Sequence, residues 1–121
     1  MADELTIRTS LSYVNAGVSA ALDSGTSAKV TVATNRYVRG TFLIETTGNN
    51  LDLGGVVSIG YYIIHNTDST NYITIAPSNV APAMVRLKAG EWACFRFDPG
   101  LTPYMVANGS DVLVETILVS D

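Results

Sequence analysis

The feature of this sequence that most restricts its fold is the alternation of apolar and polar side chains along short runs rich in β-branched and aromatic residues. Residues 5–13 show the pattern: their apolar side chains would share one face of an extended segment, and polar side chains would take the other. The apolar residues are Leu5, Ile7, Leu11 and Tyr13. A period of two in runs of this composition favours strands over helices, so we predict an all-β fold.

The same pattern continues along the chain and predicts further strands. They cover residues 28–33, 38–46, 56–65, 72–76, 84–88, 91–97, 102–107 and 112–119. Residues 18–22 fit a short strand or a helical turn, and we favour the strand. About eight or nine strands, separated by turn residues and without a helical pattern, predict an antiparallel β-sandwich of the jelly-roll kind, with a closed barrel as the alternative.

Turn residues between these strands suggest how they connect. The polar run at residues 66–70 predicts a hairpin between the strands at 56–65 and 72–76. The segment between Pro77 and Pro82 is expected to be a loop that crosses between the two sheets.

Two residue pairs that contain glycine predict specific turns. Pro99-Gly100 fits a type II turn, because proline presets φ at the first central position and glycine accepts the positive φ of the second. Asn108-Gly109 fits the type I′ turn of a two-residue hairpin.

The sequence contains no linker, low-complexity tract or obvious repeat, and its length of 121 residues is that of one ordinary domain. We therefore predict a single β-sandwich domain over residues 1–121, in which residues 1–10 could form an N-terminal arm or strand. A terminal strand with free edges can pair with a neighbouring chain. Leu5 and Ile7 are the residues that we expect to anchor such an interface.

The low charge of the chain favours protein partners over nucleic acid. Charged residues make up 15% of the sequence, against roughly 25% in a typical soluble domain. A lightly charged surface is easier to desolvate in a permanent contact. The formal net charge of −4 also lacks the positive footprint that binding to DNA or RNA requires, so no nucleic-acid partner is expected.

Cys94 is the only cysteine, which excludes an intrachain disulfide framework and indicates folding in a reducing compartment. The acidic start of the sequence lacks the basic and apolar regions of a signal peptide. The apolar runs of the chain are all shorter than the roughly 20 residues of a membrane-spanning helix. We expect synthesis in the cytoplasm and no membrane partner.

Residues with catalytic chemistry are sparse. His65 is the only histidine, and no nucleophile-elbow sequence accompanies it, so a structural role at the end of a strand is favoured over a triad or a metal site. The 11 carboxylates form no motif, although a glycosidase-like pair can converge from any sequence distance. We predict a protein that is not an enzyme, with no catalytic, metal-binding or cofactor-binding residues, and we expect neither a cofactor nor a small-molecule ligand.

Four aromatic residues could form a sugar-stacking platform, because flat amphipathic rings cover the apolar faces of sugars. They are Tyr61, Tyr62, Tyr72 and Trp92. Since Tyr61 and Tyr62 would point to opposite faces of one strand, at most one of them can belong to a given platform. Packing in the core or in a protein interface is the interpretation that we favour.

Glu115 interrupts the otherwise apolar run at residues 112–119. Because both faces of this predicted strand are largely apolar, we expect it to be covered on two sides. A carboxylate there needs either a place at the rim or an ion-pair partner. Arg86 and Arg96 are the predicted partners.

Three segments carry a family resemblance. They are residues 61–66 (Tyr-Tyr-Ile-Ile-His-Asn), 70–75 (Thr-Asn-Tyr-Ile-Thr-Ile) and 87–97 (Leu-Lys-Ala-Gly-Glu-Trp-Ala-Cys-Phe-Arg-Phe). This order resembles small virion proteins of tailed bacteriophages, in which an asparagine, a strand, a Leu-Lys-x-Gly-Glu turn and another strand recur in β-sandwich domains. The resemblance covers about half of the chain.

The resemblance implies a bacteriophage virion structural protein of the capsid decoration, or cement, type. Such a protein would stabilise the assembled capsid as a homotrimer bound to the major capsid protein, at the capsid surface of the virion, after synthesis in the bacterial cytoplasm of the host. No site residue is implied, because the shared pattern describes turns of the scaffold. The alternative is a carbohydrate- or receptor-binding β-sandwich module of a phage tail or head fibre.

Overall fold

A computed structural model describes residues 5–25, 28–30 and 36–121 of the chain. Within these ranges the protein is all-β, without helices, as predicted. The strands are β1 (Leu5–Ile7), β2 (Ser10–Asn15), β3 (Val18–Asp23), β4 (Ala28–Val30), β5 (Tyr37–Ile44), β6 (Asn49–Asn50), β7 (Ile59–Asn66), β8 (Ile73–Ala76), β9 (Val85–Leu87), β10 (Trp92–Arg96), β11 (Tyr104–Ala107) and β12 (Val112–Ser120).

The chain divides into two compact units, Met1–Ala33 and Thr34–Asp121. The prediction of one domain over residues 1–121 stays a prediction. Twelve strands among the described residues exceed the eight or nine expected, because four short strands lie in the N-terminal unit and β6 has only two residues.

In the N-terminal unit, β1 pairs with β4 and β2 pairs with β3, in both cases antiparallel. The predicted strand at residues 5–13 is interrupted at Arg8-Thr9, whereas the strand favoured at 18–22 is confirmed as part of β3.

Ala16 and Gly17 join β2 to β3 with φ values of 46° and 83°. Positive φ at both central positions is the mark of a type I′ hairpin turn. The part of the predicted 28–33 strand after residue 30 lies outside the described residues.

The C-terminal unit contains two four-stranded antiparallel sheets. Sheet A has the order β10-β7-β12-β5, and sheet B has the order β6-β11-β8-β9. Both sheets contribute to one hydrophobic core, which includes Ile44, Ile64 and Val114 from sheet A and Ile73 and Met105 from sheet B. Their alternate positions along each strand explain why the period of two is visible in the sequence.

Most connections in the C-terminal unit pass from one sheet to the other. The hairpin predicted from the strands at 56–65 and 72–76 is wrong, because β7 lies in sheet A and β8 in sheet B. The buried Asn66 side chain holds this crossing, donating to the carbonyl oxygens of Asn71 at 3.0 Å and Leu87 at 3.1 Å. The prediction that the loop between Pro77 and Pro82 crosses between the sheets is also wrong, because this loop joins β8 and β9, which pair within sheet B.

Neither glycine-containing turn has the predicted type. Gly109 has a φ of 78°, but Asn108 lacks a positive φ, and β11 and β12 lie in different sheets, so no type I′ hairpin forms. Gly100 also lacks positive φ, which excludes a type II turn. The Leu101 N–H donates to the Asp98 carbonyl at 3.1 Å, and the Asp98 carboxylate accepts the Gly100 N–H at 3.2 Å. Aspartate at the first position is typical of a type I turn.

Candidate binding surfaces

Sheet A has one face in the hydrophobic core and one face directed away from it. The second face, called here the outer face of sheet A, takes alternate residues of four adjacent strands. They are Tyr37, Arg39, Thr41, Leu43, Tyr61, Ile63, His65, Trp92, Cys94, Arg96, Leu113, Glu115, Ile117 and Val119. The face therefore combines aromatic and aliphatic side chains with a few charges.

Trp92 and His65 form a stacked pair on the outer face. They lie opposite each other on β10 and β7, with ring centroids 3.9 Å apart and planes inclined by 5°. His65 Nδ1 is 3.9 Å from Glu115 Oε2 and, within the part of the chain that the structure describes, makes no hydrogen bond. His65 is the second-last residue of β7, close to the strand end as predicted, and it contacts Trp92 and Glu115.

A groove of about 430 Å³, called here the Trp92 groove, lies on the outer face. Its lining includes Ile63, Trp92, Glu115 and Ile117, together with Arg39, Gly40, Thr41 and Thr116. Trp92 belongs to β10, whereas Arg39 and Thr41 belong to β5, so the groove spans the sheet from one edge strand to the other. Strand backbones hold all of these residues, which makes the site more rigid than one built on loops.

The predicted ion-pair partners of Glu115 are wrong. Arg96 donates to the Asp121 carboxylate, and the Arg86 guanidinium lies 4.3 Å from the centre of the Tyr72 ring. Glu115 is on the outer face with 60% of its side chain exposed, so water solvates the carboxylate and no buried partner is needed. The expectation that both faces of this strand are covered also fails at Leu113, which is exposed.

The four predicted aromatic residues do not form one platform. Tyr61 and Tyr62 point to opposite faces, as predicted: Tyr62 is buried in the core, and Tyr61 lies on the outer face with Arg96 at 5.2 Å from its ring centre. Tyr72 precedes β8 of sheet B. Only Trp92 lines the groove, and 62% of this residue is exposed.

The β2–β3 hairpin offers a second candidate surface. Every residue of both strands is exposed. Cross-strand pairs place Leu11 beside Leu22, Tyr13 beside Ala20 and Val18 beside Asn15 on one side, called here the hairpin apolar face. Its four large apolar residues are 49% to 79% exposed, namely Leu11, Tyr13, Val18 and Leu22. The one charged residue of the two strands, Asp23, lies on the opposite face beside Ser10.

The two residues that the sequence suggested as interface anchors lie elsewhere. Leu5 and Ile7 are half-buried in β1, where they pair with Val30 and Ala28 of β4. Their role in an interface stays a prediction. The prediction that Leu11 and Tyr13 share one strand face with Leu5 and Ile7 is wrong, because the break at Arg8-Thr9 places them in the exposed hairpin.

Sequence reasoning missed most of the Trp92 groove. Arg39 and Thr41 carry no motif, and their proximity to Trp92 depends on the pairing of β5, β12, β7 and β10. The one sequence feature that points to the groove is Glu115, because a carboxylate within an apolar strand indicates that one face of that strand lies outside the hydrophobic core.

Comparison with protein families, with curated proteins and with solved structures gives no match. Over the described ranges, no helix has the length and apolar character needed to cross a membrane. In the same ranges, no group of three or more His, Cys, Asp and Glu side chains is placed to hold a metal ion.

Proposed function

We propose that this protein is a bacteriophage virion structural protein that decorates and stabilises the assembled capsid. It acts as a homotrimer, binds the major capsid protein at the capsid surface, and performs no catalysis. The resemblance of residues 61–97 motivates the phage context. The hairpin apolar face is the observation that carries the role in assembly.

The hairpin apolar face is exposed to solvent although its large side chains are apolar. A two-stranded hairpin is marginally stable by itself in water, and β2 and β3 pair only with each other among the described residues. Complete burial of a leucine side chain stabilises by about 1.5–3 kcal/mol, so covering Leu11 and Leu22 would contribute strongly to an assembly. The face carries no charge, so copies with a net charge of −4 can approach there without local repulsion.

The strand order of the C-terminal unit supports a jelly-roll β-sandwich as the finer description of the fold. Two four-stranded antiparallel sheets share one core, and every connection from β5 to β12 except the one between β8 and β9 passes from one sheet to the other. Jelly rolls occur in viral capsid proteins and in lectins. A fold of this kind is compatible with a virion role, although the role itself depends on the binding surface.

Decoration stabilises a capsid by mass action. A protein that binds only assembled coat subunits lowers the free energy of the shell relative to its dissociated parts. A trimer that contacts several subunits together gains further affinity, because each later contact forms at a high effective concentration.

Co-sedimentation with empty capsids of the native phage tests the proposal. Wild-type protein should pellet with the shells, raise their thermal disruption temperature, and have a trimeric mass in analytical ultracentrifugation. Leu11→Ser with Leu22→Ser should abolish pelleting, whereas Val57→Ser, an exposed position in the C-terminal unit, should leave it unchanged. Wild-type protein that stays in the supernatant would overturn the decoration role, and a monomeric mass would overturn the trimer.

A further inference from the structure

The structure assigns a second binding activity to the outer face of sheet A: we propose that the Trp92 groove binds a neutral saccharide. This inference does not rest on the capsid role, and it departs from the expectation, drawn from the sequence, that the protein binds no small-molecule ligand. The groove presents an aromatic ring, an apolar floor and several polar groups within about 430 Å³. That volume lies within the roughly 300–1,000 Å³ of pockets that bind small ligands.

Trp92 supplies the aromatic surface. Its indole ring is already positioned by the stacked His65 ring at 3.9 Å, yet 62% of the residue is exposed. A flat ring of this kind can cover the apolar C–H face of a pyranose while its N–H remains free to donate a hydrogen bond. Because the ring is held before the ligand arrives, binding costs little side-chain entropy.

Three side chains supply the polar contacts. Glu115 lies directly opposite Thr41 across β12 and β5, and Arg39 lies two positions from Thr41 on the same face. The carboxylate accepts, the guanidinium donates and the hydroxyl does both, which is the mixture that sugar hydroxyl groups require. Hydrogen bonds to the two charged groups are stronger than those between neutral groups.

The apolar floor and the charged side chains of the Trp92 groove restrict the class of ligand that it can bind. Ile63 and Ile117 line the groove beside these polar groups, so the ligand must present both apolar and hydroxyl surface. The groove is lined by one carboxylate, that of Glu115, and one guanidinium, that of Arg39, so it has no net positive charge that would select acidic saccharides or nucleotide phosphates. A protein partner is disfavoured, because glutamate is depleted from the cores of protein interfaces.

Trp92 is the only tryptophan of the chain, so its fluorescence reports directly on the groove. A glycan array of neutral and acidic oligosaccharides should identify neutral glycans that bind wild-type protein. Titration with the strongest neutral glycan of the array should then shift the Trp92 emission in a saturable manner. Isothermal calorimetry with the same glycan should give the same dissociation constant.

Matched variants separate the groove from the rest of the outer face. Trp92→Ala should abolish binding in calorimetry, while Glu115→Gln and Arg39→Gln should each weaken it about tenfold through the loss of a charged hydrogen bond. Tyr61→Ala, on the same face but outside the groove lining, should bind as wild type does. The Glu115 and Arg39 variants keep the test valid should Trp92→Ala fail to fold.

Three results would overturn the inference. They are an array on which no neutral glycan binds, binding confined to acidic glycans, and neutral-glycan binding that persists in all three groove variants. Protection of Cys94 on the outer face from alkylation in capsid-bound protein, together with an array without neutral hits, would identify the face as a protein interface instead. Trp92→Ala should still pellet with capsids, because the capsid proposal rests on the hairpin apolar face and not on the Trp92 groove.

Discussion

Tyr62 places a hydroxyl group in the core, where the cost of burial is not offset. Its oxygen makes no hydrogen bond with the described residues, although the nearby Thr116 side chain slightly lowers the pKa of the phenol. Burial raises the pKa of Tyr62 above its ordinary value of 10.0, with a small opposing effect from Thr116. The phenol therefore remains neutral throughout the physiological range.

Removal of this hydroxyl should stabilise the protein. Tyr62→Phe keeps the ring contacts with Phe95 and Phe97 and removes the unsatisfied group, so we expect the free energy of unfolding to rise by about 1 kcal/mol. Urea denaturation measures the change. The control is Tyr104→Phe, which loses a 2.9 Å hydrogen bond to the Thr47 carbonyl and should be destabilised by about 1 kcal/mol. Equal losses in both variants would contradict this account.

Asp68 makes the loop after β7 sensitive to acid. Its Oδ1 accepts the N–H groups of Asn71 at 2.6 Å and Thr70 at 2.7 Å, and these bonds hold the pKa of Asp68 below its ordinary value of 3.8. Because the folded-state pKa is the lower one, the stabilisation is complete above the unfolded-state pKa. It is lost as pH falls through the folded-state pKa.

Asp68→Asn should therefore flatten the acid side of the stability curve. We expect the variant to have a lower Tm than wild type at pH 7, and we expect this difference to shrink as the pH falls below the ordinary carboxyl pKa of 3.8. Thermal unfolding followed by circular dichroism between pH 2 and pH 7 measures both curves. Asp52→Asn is the control, since Asp52 accepts one N–H, that of Gly54 at 2.9 Å. Parallel curves for wild type and Asp68→Asn would refute the assignment.

At the scale of elements, the pairing of β7 with β12 leaves no space for a side chain at Gly60. A Cβ atom at this buried position would lie 2.9 Å from the carbonyl oxygens of Val119 and Ser120. These are backbone atoms of the neighbouring strand, so relief requires a shift of the ladder beside the irregularity between Leu118 and Ser120.

Gly60→Ala should thus destabilise the C-terminal unit by about 1–3 kcal/mol, as overpacking in a core does. Chemical denaturation followed by Trp92 fluorescence measures this unit specifically. Gly100→Ala is the matched control, because a Cβ there meets only an Asp98 carboxylate oxygen at 3.8 Å and the backbone φ is not positive. A Gly60→Ala variant as stable as Gly100→Ala would show that β12 shifts without cost.

Element types were more predictable than their partners. The alternation that predicted strands around Ile64 and Val114 operates within a few residues, because successive side chains of a strand point to opposite faces. Turn composition predicted where strands end, but not whether the next strand pairs with the last one. At Asn66 the chain crosses to sheet B, and the buried Asn66 amide there donates to the carbonyls of Asn71 and Leu87, a pair of contacts that turn composition does not predict.

At the scale of the whole molecule, two surfaces of different chemistry account for the proposed activities. The hairpin apolar face is uncharged and suits association between proteins, whereas the Trp92 groove combines a ring with hydrogen-bonding groups and suits a hydroxyl-rich ligand. Neither surface could be located from sequence, since an exposed leucine and a core leucine follow the same period of two.

The sequence by itself determined that the described chain folds into β-strands, that Tyr61 and Tyr62 face opposite sides, and that the charge is low. These properties follow from composition and local backbone geometry. Only the tertiary structure decided that β7 and β8 lie in different sheets, that Glu115 faces a groove beside Trp92, and that the apolar side of β2 and β3 is exposed. Each of those outcomes depends on contacts between residues distant in the chain, which a local pattern does not encode.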